Sequence, residues 1–71
     1  MARTPDEDYD VVLYQYRHTW TVWRAGELLG ERDSLQAGLE LARAVAAAHR
    51  KPAWLLDEAG YPLKPVEPRL H

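Results

Sequence analysis

The chain lacks cysteine, phenylalanine, isoleucine and asparagine altogether, and its 71 residues include a single serine. Without cysteine there is no disulfide to staple a small domain, no thiolate nucleophile and no thiolate metal ligand. The lone serine, Ser34, stands directly before an alanine- and leucine-rich stretch. That is where a helix N-cap belongs, so it is a poor candidate for a nucleophile, which needs a base held beside it. No phosphate-cradling glycine loop, dinucleotide fingerprint or G-x-S-x-G elbow is present. No apolar run approaches the roughly 20 residues that cross a bilayer. The opening segment, MARTPDEDYD, is polar and acidic, unlike a secretory or transit leader, so the expected location is cytoplasmic.

What is present is a mixture of 46% hydrophobic and 28% charged residues with a formal net charge of −2, which fits one small globular domain. A core of this size supplies only about 3–5 kcal/mol, and small domains commonly add a metal, disulfides or a second subunit. Self-association is the supplement expected here. Alanine and leucine occur ten times each and arginine outnumbers lysine seven to two, a usage resembling the coding bias of a GC-rich bacterial genome. The charge is unevenly placed. Residues 1–10 set Arg3 against four acids, a net of −3, whereas residues 11–71 hold eight basic and seven acidic groups, a net of +1. A nearly neutral folded part argues against strong attraction to a phosphate backbone.

Along the chain, residues 1–8 read as a disordered acidic tail. Residues 9–18 are rich in valine and tyrosine and predict a strand, followed by a turn near residues 17–19. Residues 19–25 alternate polar and apolar and predict a second strand. Gly26 supplies a positive φ for the next turn. Residues 27–32 predict a short third strand, with Gly30 weakening it or marking a bulge. Asp33 or Ser34 caps a helix over about 34–50, in which Leu35, Gly38, Leu39, Leu41, Ala42, Val45, Ala46 and His49 share one face at roughly 100° per residue. Gly38 in its interior costs roughly 1 kcal/mol relative to alanine and points to close approach of a strand. Pro52 ends the helix. Residues 53–57 predict a fourth strand, residues 58–60 a turn, and residues 61–64 an edge strand bearing Pro62. Pro62, Pro65 and Pro68 recur every third residue, the polyproline II spacing, so residues 65–71 read as an extended tail. The expected class is α+β: a mainly antiparallel sheet of four to five short strands, with one helix on one face, in a single ββ(β)αββ domain over residues 9–64.

The order Trp20-x-Val22, Gly26, Ser34, Leu39-Glu40-Leu41-Ala42-Arg43, Leu55-Leu56-Asp57 and Gly60 resembles a small bacterial family of unknown function. Its members carry W-x-V on a strand, a Ser- or Thr-capped A-x-x-x-A-R helix and a D-x-D-G hairpin. The resemblance spans roughly residues 11–64. Gly38 departs from the family's alanine, and the hairpin reads D-E-A-G with one acid displaced. The resemblance implies a strand-rich sheet crossed by one helix and brings no activity with it.

The catalytic and metal-binding candidates are few. His18, His49 and His71 fall in a turn, on the helix and at the last residue, with no ligand spacing among them. His49 is read as a partly covered histidine at the helix C-terminus, favoured there by the helix dipole. Asp57 and Glu58 are adjacent, and one of them is read as a turn former. Asp6, Glu7, Asp8 and Asp10 are read as solvated tail. No catalytic residue, cofactor, metal or small-molecule ligand is predicted, and the chain is not expected to be an enzyme.

The aromatic residues carry the most information. Strand alternation puts Trp20 and Val22 on one face and Trp23 on the other. Val11 and Leu13 suit the helix side, which sets Tyr14 and Tyr16 beside Trp23 on the uncovered face, although a different turn length would reverse that register. An exposed aromatic patch marks an interaction surface. The expectation is a protein-interaction module, a homodimer or a docking site for another protein, using this face or the alanine flank of the helix. The alternative is a weak single-stranded nucleic-acid binder that stacks bases on the same rings with help from Arg17 and Arg24.

Overall fold

A computed structural model describes residues 9–57 and 59–66. Strand β1 (Val11–Tyr16) turns into β2 (Thr19–Arg24), β2 into β3 (Glu27–Arg32), and the chain then enters helix α1 (Leu35–His49) before β4 (Ala53–Leu56) and β5 (Pro62–Val66). The five strands form one sheet in the order β3-β2-β1-β4-β5. Three neighbour pairs are antiparallel, while β1 and β4 run parallel, joined through the helix. The α+β expectation holds, with the sheet mixed. A parallel pair needs a long crossover, and α1 is the element that spans it.

Both tight hairpins close through two residues at positive φ. Arg17 (51°) and His18 (67°) join β1 to β2, and Ala25 (52°) and Gly26 (77°) join β2 to β3. This is the turn form whose twist matches that of paired strands. Gly26 occupies such a position freely, whereas each non-glycine residue there is held at a cost of about 1–2 kcal/mol. The predicted bulge is present one residue from Gly30. Val22 pairs with Gly30 and Trp23 with Leu28, which leaves Leu29 as the extra residue.

Ser34, not Asp33, is the helix cap: its Oγ accepts from the Ala37 N–H at 3.2 Å. The helix stops at Arg50, two residues ahead of Pro52. Arg50 adopts a left-handed conformation, and its N–H reaches back to the carbonyls of Ala46 and Ala47. His49 is exposed, contrary to the partial cover expected for it, and Leu35 also remains 39% exposed.

The core between helix and sheet has an unusual division of labour. The buried helix residues are the smallest ones, Gly38, Ala42 and Ala46, four positions apart along one stripe. The sheet supplies bulk in Val11, Leu13, Val22, Leu55 and Val66, with Trp20, Leu39, Leu41 and Val45 packed around them. A Cβ at Gly38 would lie 2.9 Å from both Leu13 Cδ1 and Trp20 Cβ. The close approach expected of this glycine is therefore real, and it lets α1 lie low across the strands.

One boundary moves. Val66 is buried in the core and belongs to β5, so the folded unit extends past residue 64. The every-third-residue prolines masked this, because Pro62 and Pro65 lie in an edge strand where a missing donor is tolerated. The tail assigned to residues 1–8, and residues 67–71 of the tail assigned to 65–71, lie outside the described residues. Among the described residues, no helix is long and apolar enough to cross a membrane.

Candidate functional site

The cross-strand register fixes which side chains share the sheet face opposite α1. Val11, Leu13, Val22, Ala53, Leu55 and Val66 all belong to the helix-side core. The intervening residues Val12, Tyr14, Thr21, Trp23, Trp54 and Leu56 therefore point the other way. The placement of Tyr14, Tyr16 and Trp23 together follows the alternation read from the sequence, and the turn length does not reverse it.

One row across this back face is apolar on every strand. Leu28 pairs with Trp23, Trp23 with Val12, Val12 with Trp54, and Trp54 with Pro65. The result is a belt perpendicular to the strands, with a tryptophan on each side of a central valine. Val12 is 0% exposed, while Trp23 and Trp54 are half-buried and Leu28 remains 41% exposed. The Tyr9 ring adds to the belt with its centroid 6.0 Å from that of Trp54, tilted by 47°. The next row holds Tyr14 between Thr21 and buried Leu56.

The belt is held in place by polar bonds as well as by packing. Thr21 is buried, and its Oγ1 donates to the Tyr14 carbonyl at 2.6 Å. The same oxygen accepts from Trp23 Nε1 at 2.9 Å. The Trp23 indole is thereby tied to Thr21 on its own strand, its one donor satisfied, and it remains half-buried. A large amphipathic ring fixed in this way offers contact area with little entropy left to lose.

Two predicted residues sit differently from Trp23. Arg24 pairs with Val11 and Glu27, which puts it on the helix side of the sheet, away from the aromatic rings. Its assignment to the aromatic surface is corrected by the same alternation that placed Trp23. Arg17 lies at the hairpin tip, its guanidinium carbon 5.3 Å from the Tyr16 ring centroid, a cation–π contact at the end of the face. Tyr14, Gln15, Tyr16, Arg17 and His18 line a surface recess there.

Sequence reasoning missed Trp54, Val12, Leu28 and Pro65. Alternation within Ala53–Leu56 contained the signal for Trp54, since two small or aliphatic residues flank it at helix-facing parity. Asp57, by contrast, is the turn former anticipated for that hairpin: its Oδ1 accepts from the N–H groups of Ala59 and Tyr61, each at 2.9 Å. Among the described residues no cluster of three or more histidines and carboxylates is placed to hold a metal ion.

Comparison with protein families, curated proteins and solved structures finds no match for this chain. The reading of its function accordingly rests on the geometry of the back face.

Proposed function

We propose that the chain is a non-enzymatic protein-interaction module that self-associates through the aromatic belt on the back of its sheet. The observation that carries this is the unbroken row Leu28–Trp23–Val12–Trp54–Pro65, which spans all five strands on the face opposite the helix. Its two half-buried indoles would bury further apolar area against a second sheet, at roughly 25 cal/mol per Å² removed from water. A domain with a core this small gains from such cover. Base stacking on the same rings is the weaker reading. Arg24 lies on the other side of the sheet, and the near-neutral charge of residues 11–71 offers little attraction to phosphates.

Sedimentation equilibrium across the micromolar range tests the proposal, with the Trp54→Ala variant beside the parent. The parent should rise above 8.2 kDa with concentration. The variant should remain near that mass while keeping its far-UV circular dichroism. A parent that stays monomeric, together with salt-sensitive binding of a labelled oligonucleotide, would replace self-association with base stacking.

A further inference from the structure

The two edges of the sheet are built differently. At one edge, β5 carries Pro62 and Pro65, which remove two N–H donors from a five-residue strand. Proline on an edge closes it to strand addition. At the other edge, β3 has no proline, so its backbone donors are intact, and both edges expose leucine: Leu28 and Leu29 on β3, Leu63 on β5.

The direction of the β3 backbone groups follows from its hairpin. Arg24 and Glu27 close the turn, so the backbone groups of Glu27 face β2 and those of Leu28 face outward. The bulge at Leu29 shifts the alternation by one residue, which makes Glu31 the next to face outward. The Glu31 carbonyl behaves accordingly: it accepts from its neighbour's guanidinium, Arg32 Nη1, at 2.6 Å. In a single chain, Arg32 thus fills the acceptor that another strand would use.

We propose that two copies of this chain join through β3, antiparallel, in the register that sets Glu27 opposite the partner's Arg32 and Leu28 opposite the partner's Glu31. In that register the strand E-L-L-G-E-R sets an acid against a base at each of its two ends. Both outward-facing residues, Leu28 and Glu31, meet each other across the two-fold axis, so the bulges match instead of clashing in phase. The acid Glu27 and the base Arg32 meet twice, once on each side of the axis, on the helix side of the sheet. Leu28, the last residue of the belt, comes to the seam, and the two belts run together across ten strands. This inference rests on the self-association reading and adds to it a contact separate from the belt.

The test is a charge swap read by sedimentation equilibrium at low salt, where surface charge is least screened. Glu27→Arg and Arg32→Glu are made singly and together, and circular dichroism confirms that each variant is folded. Each single reversal should weaken association by about tenfold, two cross-strand pairs being turned from attraction to repulsion. The double variant restores both pairs and should return close to the parent. Singles that associate like the parent, or a double variant as weak as the singles, would overturn the β3 contact. Trp54→Ala separates the two readings. If it leaves association intact while the swap pattern holds, the belt reading fails and the edge stands. If it abolishes association while the swap has no effect, the edge fails and the belt stands.

Discussion

The two faces of the sheet are both apolar, yet they are covered by different means. On the helix side, cover comes from another element: a stripe of glycine and alanine brings α1 down onto Leu13, Val22 and Leu55. On the back, buried Val12 and Leu56 share their face with half-buried Trp23, Trp54 and Tyr14, rings belonging to the sheet itself. A helix removes a face from further use once it has packed. Rings lying on their own sheet protect small neighbours and still present apolar area outward, which is the physical distinction between a core and a docking face.

The sharpest way to break that contrast is to cut the helix-side core. Leu13→Ala removes a fully buried side chain, at a cost of about 2–5 kcal/mol, comparable to the whole stability of so small a domain. The variant should show no cooperative melting transition. Gly38→Ala comes next. Alanine is the better helix former by about 1 kcal/mol, but its Cβ meets Leu13 Cδ1 and Trp20 Cβ at 2.9 Å. The second atom is held close to the β2 backbone, so overpacking at about 1–3 kcal/mol should win and lower the midpoint of thermal unfolding. An unchanged or raised midpoint would show that the helix has room to lift.

Trp23→Ala acts on the other face. It removes the indole and its bond to Thr21, which should lower stability by about 1–2 kcal/mol while helix content in circular dichroism is retained. Damage equal to that of Leu13→Ala would erase the difference between the faces. The smallest effect is expected at the helix end, which touches neither face. Arg50→Gly relieves a left-handed residue at φ 54° and should raise the unfolding free energy by about 1 kcal/mol, measured by urea titration.

Much of this arrangement was legible along the chain wherever the argument needed only local alternation. Val11 and Leu13 against Tyr14 and Tyr16, and Trp20 against Trp23, are separated by the two-residue period of a strand, and the register agrees. Ser34 and Gly38 announced a cap and a close approach. Arg24 falls on the helix side by the same alternation that puts Trp23 on the back, so its charge is no guide to its face. What alternation does not reach is pairing between distant segments. The β1–β4 contact is parallel and follows a helical crossover, so no hairpin geometry links Val12 to Trp54, and the belt is visible only once that register is known. Val66 was hidden for a related reason: prolines at 62, 65 and 68 share the period of an extended tail, while burial of Val66 depends on the helix above it.

The three indole N–H groups offer the most direct test, because the chain carries one tryptophan toward the helix and two on the belt. Nuclear magnetic resonance of the 15N-labelled chain follows all three signals as concentration is raised. The Trp23 and Trp54 signals should shift together with concentration while that of Trp20 stays fixed. Movement of the Trp20 signal alone, or no movement of any of the three, would contradict association through the back of the sheet.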